Sequence, residues 1–241
     1  MAISIIDADC LTDASSASVQ LNLDAGSGDN RIVLAWTCGS NAQSTPTPKF
    51  NGVNMTLIAS AAGTWRKIKM FYMLSPPSGV NSLSATFSAA SNMKGLGGMS
   101  FSGVSGIGNP ATDYGDPDGS DCTLSIGSVG ANDWAVGAVW SGYSNPRNGR
   151  GSGQTERFFC NPSSPWYLVG DTKVGNGTIT WGTLNRFAAA GARLQAAVVA
   201  PEIYAKVSGN WKKCTLSVKV SGVWKNIEKV YVKVSGAWKE V

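Results

Sequence analysis

Short stretches of alternating apolar and polar residues recur along the first 200 residues, separated by glycine, serine, threonine and asparagine. The segment Trp65–Leu74 alternates most clearly, with apolar residues at every second position from Ile68 to Leu74 and lysines at positions 67 and 69. This period of two predicts a β-strand with one buried face. Arg31–Cys38 is instead continuously apolar, which indicates a strand that is buried on both faces.

Turn residues and further alternation extend the β pattern along the chain. Pro76–Gly79 predicts a turn, and Ser82–Phe87 then alternates with Leu83, Ala85 and Phe87 facing inward. We therefore predict a hairpin that joins this strand to the preceding one. Further strands are predicted at Val53–Ser60, Gly98–Val104, Cys122–Ile126, Trp134–Trp140, Arg157–Cys160, Tyr167–Val169 and Thr178–Trp181.

Two segments are harder to assign. The alanines of Arg186–Val199 have helix propensity, but Gly191 and the surrounding strands favour a closing strand. Ser141–Gly153 is rich in glycine and asparagine and predicts a long loop. The pattern as a whole predicts an all-β protein, with a jelly-roll-like β-sandwich over residues 1–200 and a small region of β-hairpin repeats over residues 201–241.

The last forty residues repeat one phrase three times, as Ala205–Lys212, Val218–Lys225 and Val232–Lys239. Each repeat is long enough for one hairpin and too short for a domain, so each needs neighbours to form a core. A two-residue turn at Ser-Gly would pair a lysine with a tryptophan in every hairpin. The predicted pairs are Lys206 with Trp211, Lys219 with Trp224, and Lys233 with Trp238.

The three tryptophans would then form a ladder beside the lysines, where cation–π pairing is favourable. Packing of this ladder across a subunit interface is the preferred interpretation, and binding of a sugar ring is the alternative. Because isolated hairpins are marginally stable and oligomers close by rotational symmetry, we expect a homo-oligomer.

Charge is distributed unevenly between the two regions. The net charge of +5 lies in residues 201–241, which contain eight lysines and three glutamates. Such a basic segment could bind an anionic glycan, an acidic protein surface or nucleic acid, or could simply keep strand edges soluble. Nucleic acid is disfavoured because this segment contains no arginine and no nucleic-acid-binding motif.

The absence of histidine excludes the Ser-His-Asp triad, the Cys-His pair and histidine-ligated zinc. Glu156 is the single glutamate of the first 200 residues. The segment Asp113–Asp121 contains four carboxylates and resembles part of a calcium loop, although a solvated turn is the preferred interpretation. These acids could also form a glycosidase pair. We expect no catalytic residue, no metal and no cofactor.

Five cysteines lie at positions 10, 38, 122, 160 and 214 without C-x-x-C spacing. We expect them to be small buried apolar residues, with at least one unpaired within the chain. Arg147, Arg150, Trp166 and Tyr167 lie in or near loops and are candidates for binding a glycan or a protein. The N-terminus lacks a basic segment followed by a long apolar one, so we expect synthesis in the cytoplasm without export. No segment is apolar over the length of a membrane span.

The three C-terminal phrases resemble the VKVSG-x-WK repeats that end many bacteriophage tail-fibre and other virion proteins. The first 200 residues are similar to β-sandwich domains of phage structural proteins at Asn30–Trp36, Phe50–Leu57, Leu74–Gly79 and Met99–Val104. The resemblance implies a non-enzymatic virion protein, displayed as a fibre, spike or decoration module with a role in host attachment. It also implies contacts with other virion proteins and favours a homotrimer.

Host cell-surface polysaccharide is the candidate external ligand of such a module. Two other functions stay open at this point. A purely structural adaptor would bury the tryptophan ladder against another virion protein. A polysaccharide depolymerase would need an acidic cleft around Asp113–Asp121 or Glu156.

Overall fold

The computed structural model describes residues 2–12, 16–90, 93–116, 120–161 and 166–197 with their side chains. In the C-terminal segment it describes the backbone of residues 203–207, 210–214, 217–220, 223–226, 231–234 and 237–240. Contacts between Cα atoms divide the chain into two units, Met1–Ala197 and Val198–Val241. The boundary predicted at Pro201 lies outside the described residues.

Antiparallel β-strands form the first unit, together with one 3₁₀ turn at Pro146–Gly149. The strands of its first half are β1 (Ser4–Leu11), β2 (Ser18–Asp24), β3 (Ile32–Ser40), β4 (Lys49–Phe50), β5 (Val53–Asn54), β6 (Thr56–Ala62), β7 (Arg66–Leu74), β8 (Val80–Thr86) and β9 (Lys94–Ser102). Those of its second half are β10 (Val104–Gly115), β11 (Ser120–Ser125), β12 (Trp134–Gly142), β13 (Thr155–Cys160), β14 (Trp166–Val174), β15 (Thr178–Leu184) and β16 (Phe187–Ala196). No helix in the described part of the chain has the length and apolar character needed to cross a membrane.

The sheets stack in four layers. Two five-stranded sheets, of order β1-β9-β3-β7-β6 and β10-β16-β12-β14-β13, pack face to face over a core that includes Trp36, Phe101 and Trp140. The sheet β2-β8-β4-β5 covers the other face of the first, and β11-β15 covers the other face of the second. Both inner sheets are therefore buried on two sides. The predicted all-β sandwich is confirmed.

The second half of this unit repeats the topology of the first. The orders β1-β9-β3-β7-β6 and β10-β16-β12-β14-β13 match strand for strand, as do the pairs β2-β8 and β11-β15. The registers match as well. The first residue of β3, Ile32, pairs with the last residue of β7, Leu74, just as Trp134 of β12 pairs with Val174 of β14. The unit thus consists of two equivalent half-domains whose five-stranded sheets face each other.

Burial confirms most of the predicted strand faces. All residues of β3 are buried, as its continuous apolar sequence predicts for a strand between two layers. In β7, Arg66, Ile68 and Met70 are buried, but Phe71 on the other face is buried as well and Leu74 at the end is exposed, so the prediction of a single buried face is wrong. The alanine-rich segment forms strand β16, with Ala188–Ala190 fully buried. Packing between layers overrides its helix propensity there.

The predicted hairpin between β7 and β8 is wrong. β7 pairs with β3 and β6, whereas β8 pairs with β2 and β4 in the outer sheet. The turn Pro76–Gly79 therefore carries the chain from one layer to the next. Leu83, Ala85 and Phe87 face inward as predicted, because the second layer packs on the first through those positions.

The two halves are joined at Gly103, between β9 and β10. Its φ of 71° is left-handed, and a Cβ atom there would lie 2.2 Å from the carbonyl oxygen of Ala2. Only glycine fits this position without a shift of the backbone. The close approach lets the chain pass directly from one inner sheet to the other.

The prediction that the cysteines are small buried apolar residues is wrong for two of them. Cys10 in β1 and Cys160 in β13 form a disulfide with Cα atoms 5.9 Å apart, and it joins edge strands of the two halves. They are 150 residues apart in the sequence, so spacing gave no signal. Cys38 and Cys122 are buried free thiols, as predicted. The side chain of Cys214 lies outside the described part.

Three two-stranded antiparallel sheets form the described part of the second unit. They pair β17 (Ile203–Val207) with β18 (Asn210–Cys214), β19 (Ser217–Val220) with β20 (Val223–Asn226), and β21 (Tyr231–Val234) with β22 (Ala237–Glu240). Each sequence repeat therefore spans one hairpin, as predicted.

Candidate binding site

The backbone register of the three C-terminal hairpins pairs each predicted lysine with its tryptophan. The pairs are Lys206 with Trp211, Lys219 with Trp224, and Lys233 with Trp238. The register prediction is confirmed, including the pairing of Val220 with Val223. Contacts made by these side chains lie outside the described part of the structure.

Arg150, one of the predicted loop residues, belongs to a partly buried ion-pair network. Its guanidinium contacts both Glu156 and Asp171, and Arg147 Nε lies 2.9 Å from the same Glu156 carboxylate. The Asp171 side chain is fully buried and accepts further hydrogen bonds from Gln154 Nε2 at 3.2 Å and Trp181 Nε1 at 2.7 Å. The network fixes the connection between β12 and β13 onto strands β14 and β15.

Burial and ion pairing act in opposite directions on the pKa values of this network. Burial raises the pKa of Asp171, although the charge and hydrogen bonds of Arg150 act in the opposite direction. Burial alone would lower the pKa of Arg150, but Asp171 and Glu156 outweigh it and raise this pKa. The carboxylates of Glu156 and Asp171 are thus both ion-paired with Arg150.

Arg147 and Tyr167 both contact the ring of Phe159. The Arg147 guanidinium carbon is 4.5 Å from the ring centroid of Phe159, and Tyr167 stacks on the same ring at 6.1 Å. Arg147 is half exposed. These two candidates and Arg150 are therefore close together, around β13 and the start of β14.

The carboxylate-rich segment Asp113–Asp121 is divided between two strands. Asp113 lies in β10 and Asp121 in β11, while Asp118 lies outside the described residues. Each described carboxylate accepts a hydrogen bond from a different distant amide: Asp113 from Thr123 at 2.7 Å, Asp116 from Thr64 at 2.6 Å, and Asp121 from Thr183 at 2.7 Å. No cluster of three or more histidine, cysteine or acidic residues suited to a metal occurs among the described residues.

The fourth predicted loop residue, Trp166, lies elsewhere, in an open cleft of about 440 Å³. The cleft is also lined by Ser40, Thr64, Trp65, Arg66, Tyr143 and Arg186. Trp166 stacks on the buried ring of Trp140 with centroids 6.3 Å apart. The Tyr143 ring centroid lies 5.8 Å from that of Trp166, and the guanidinium carbon of Arg66 lies 3.9 Å from the Trp166 ring centroid.

Arg66 is buried without an anionic partner among the described residues. It is 2% exposed, and its Nη1 donates a hydrogen bond to the carbonyl oxygen of Trp65 at 2.7 Å. Nε and Nη2 have no partner in the described part, and the same is true of Ser40 Oγ in the cleft wall. Burial, with a smaller effect of Arg186, lowers the pKa of Arg66 to about 10. The guanidinium is therefore still charged at neutral pH.

The rim of the cleft combines exposed rings with a second arginine. Trp65 is 48% and Tyr143 is 57% exposed. The Arg186 guanidinium carbon lies 4.7 Å from the Trp65 ring centroid and 5.5 Å from that of Tyr143. Tyr143 and Arg186 have positive φ values of 70° and 51°. Such strained backbone in non-glycine residues is concentrated at functional sites in proteins.

The cleft lies where the two half-domains meet. Ser40 ends β3 and pairs with Arg66, the first residue of β7. Gly142 ends β12 and pairs with Trp166, the first residue of β14. Arg66 and Trp166 therefore occupy equivalent positions in the two halves, and they contact each other across the boundary.

Asp116 positions the turn that carries Trp65. Burial alone would raise the pKa of Asp116, but hydrogen bonds from Thr64 and from the Trp65 backbone outweigh it and lower this pKa below its usual value. A carboxyl with a lowered folded-state pKa stabilises the fold above its unfolded pKa, near 4. This stabilisation is lost as the pH falls through the folded-state pKa.

We expect Asp116→Asn to lower the free energy of unfolding by about 1 kcal/mol at pH 7, because the amide oxygen is a weaker acceptor than a carboxylate. Urea unfolding at pH 7 and at pH 2 measures this, and the difference from wild type should shrink at pH 2 as the carboxyl takes up a proton. The exposed Asp29→Asn variant is the control and should change stability by less than about 0.5 kcal/mol. A deficit of the same size at both pH values would contradict the role of the charge.

Sequence reasoning named Trp166 but missed Trp65, Arg66, Tyr143 and Arg186. One signal was present, because Arg66 falls on the same alternating face of β7 as Ile68 and Met70. A charged residue at a buried position of an otherwise apolar face indicates a special role.

Comparisons with known proteins leave the fold and the cleft as the basis for a functional argument. No family model matches the chain, and no curated protein or solved structure shows significant similarity to it.

Proposed function

We propose that this chain is a non-enzymatic structural protein of a bacteriophage virion. The β-sandwich unit is the displayed module of a fibre, spike or decoration, and the C-terminal hairpins are the assembly device. Its partners are further copies of itself, with a trimer preferred, and other virion proteins. Host surface polysaccharide is its external ligand.

The observation that carries this proposal is the repeated register of the C-terminal hairpins. All three pair lysine with tryptophan at the same position relative to the turn. A two-stranded hairpin is marginally stable by itself, and large aromatic residues bury area efficiently across subunit contacts. Three copies of one pattern thus favour association along this segment.

Two features of the sandwich support the same function. The disulfide Cys10–Cys160 suits a protein that works outside a reducing cytoplasm, as virion proteins do. The described carboxylates that sequence analysis considered for hydrolysis accept backbone amides or bind arginine. This arrangement supports a structural role for them and disfavours the depolymerase.

Light scattering of the full chain and of a variant ending at Pro201 tests the proposal. We expect a homo-oligomer, with three times the monomer mass for a trimer, that becomes a folded monomer on truncation. A full-length variant with Trp211, Trp224 and Trp238 replaced by serine should also be monomeric. Circular dichroism checks that each variant keeps its β-sheet content.

If the full chain and the variant ending at Pro201 are both monomeric, self-assembly through the repeats is overturned. The purely structural adaptor, which binds a different virion protein through the tryptophans, would then be the better explanation. An oligomer that survives both changes would move the assembly contact to the sandwich unit.

A further inference from the structure

The cleft between the half-domains has an excess of positive charge. Arg66 and Arg186 both line it, and Lys67 Nζ donates a hydrogen bond to the carbonyl oxygen of the cleft residue Asn41 at 3.1 Å. Among the described residues, Asp116 is the acidic group near these cations, and its Oδ2 already accepts a hydrogen bond from the Thr64 amide. A buried guanidinium with two unpartnered nitrogen atoms is costly unless an anion compensates it. The charge pattern therefore favours an anionic ligand.

The rings of the cleft require a ligand with an apolar face as well. Trp65 and Tyr143 expose about half of their surface at the rim, and the Arg186 guanidinium lies close to both rings. Aromatic rings in this setting bind flat, partly apolar molecules, while neighbouring polar groups fix their orientation. Ser40 Oγ is buried in the wall and has no partner among the described residues. A small inorganic anion would leave the rings unused.

The size and position of the cleft agree with a small-molecule or chain-end site. Its volume of about 440 Å³ lies within the range of small-ligand pockets, and the boundary between domains is a frequent place for such sites. The strained backbone at Tyr143 and Arg186 is maintained on this same rim.

We propose that this cleft binds a carboxylate-bearing sugar residue of an acidic polysaccharide. The sugar ring stacks on Trp65 or Tyr143, and the carboxylate lies towards Arg186 and Arg66. A neutral sugar would bring these two arginines no negative charge beyond that of Asp116. The inference rests on the proposed display of the sandwich on a particle that meets host polysaccharide.

Isothermal titration calorimetry with the full-length protein tests this directly. The probes are tetrasaccharides of galacturonic acid, of hyaluronan and of α2,8-linked sialic acid, each compared with its neutral methyl ester. We expect at least one acidic tetrasaccharide to bind and its methyl ester to bind at least about tenfold more weakly. Binding should also weaken as the salt concentration rises, because the outer part of the cleft is open to solvent.

Substitutions locate the binding in the cleft. Trp65→Ala and Arg186→Met change rim residues, and each should weaken binding about tenfold. Arg66→Met should do the same, and circular dichroism must show that this buried change leaves the fold intact. Arg157→Met is the matched control, because Arg157 also lies over a tryptophan, Trp134, but at the opposite end of β12. It should leave the affinity unchanged.

Three results would overturn the inference: no acidic tetrasaccharide binds, the methyl ester binds equally well, or the rim variants bind normally. If no sugar binds but the rim variants no longer associate with the virion particle, the cleft binds a protein partner instead. The titration does not depend on oligomeric state. If the full chain is a monomer that binds acidic sugar, the assembly proposal alone is overturned. If it is an oligomer that binds no acidic sugar, the inference about the cleft alone is overturned.

Discussion

Replacing Arg150 with alanine is expected to lower the free energy of unfolding by about 3 kcal/mol. Asp171 is fully buried, and Arg150 Nε contacts its carboxylate at 3.0 Å. Removing the cation leaves a buried negative charge whose remaining side-chain hydrogen bonds among the described residues come from Gln154 and Trp181, with Arg157 as a second nearby positive charge. Breaking one partner of a buried pair costs more than the pair itself contributes, because the remaining charge is neither solvated nor compensated.

Chemical unfolding at pH 7 measures this effect, and Arg147→Ala is the matched control. Arg147 binds the same Glu156 carboxylate but is half exposed, so its loss should cost about 1 kcal/mol or less. In the double variant Arg150→Ala with Asp171→Asn, part of the lost stability should return, because no uncompensated charge is left. A double variant no more stable than Arg150→Ala would contradict the explanation.

The pH dependence of the Arg150→Ala variant gives a second test. Burial raises the pKa of Asp171 in the folded state, so the folded state binds a proton at a pH where the unfolded state does not. Stability from this group therefore rises as the pH falls from the folded pKa towards the unfolded value near 3.9. Without Arg150 to favour ionisation, the effect grows, and the deficit of the variant should shrink between pH 7 and pH 4.

Side-chain periodicity predicted strands well because it depends only on which faces are buried. β3 and β8 have the burial that their sequences predict, since each position reports its own environment. Strand pairing depends on distant residues and was not predictable in this way. The turn Pro76–Gly79 is compatible with a hairpin, and only the packing of Leu83 and Ala85 on a second layer decides otherwise.

The duplication of the sandwich left no usable sequence signal. Equivalent positions hold unlike residues, such as Arg66 and Trp166, or Ile32 and Trp134. What the halves share is topology and register, which many sequences satisfy if the buried faces are kept. The C-terminal repeats are different, because their three hairpins use nearly the same residues and were predicted down to the register.

The binding cleft was missed for a related reason. Its residues come from loops and strand ends between positions 40 and 186. These segments lie far apart in the sequence and form no motif of regular spacing. Sequence reasoning instead favoured local clusters of charge, such as Asp113–Asp121, which the fold uses to bind separate backbone amides. Convergence of distant residues at the boundary between half-domains is a property of the fold alone.

Reduction of the disulfide between Cys10 and Cys160 is expected to lower the free energy of unfolding by about 3–5 kcal/mol. The bond closes a loop across 150 residues and joins β1 of one half to β13 of the other. Long loops gain the most from such a cross-link, because it removes many extended conformations from the unfolded chain. Unfolding with and without reductant measures the difference, and the Cys10→Ala, Cys160→Ala double variant should not respond to reductant.

The duplicated architecture makes this prediction specific to one edge of the molecule. Strand register places Thr112 of β10 at the position equivalent to Cys10, and Ala61 of β6 at the position equivalent to Cys160. The contact between the edge strands β6 and β10 therefore lacks the cross-link. Reduction should therefore speed amide hydrogen exchange in β1 and β13 while β6 and β10 change little. Equally faster exchange at both edges would mean that the halves separate as a whole. Unchanged exchange at both edges would mean that packing around Trp36 and Trp140 suffices to join the halves.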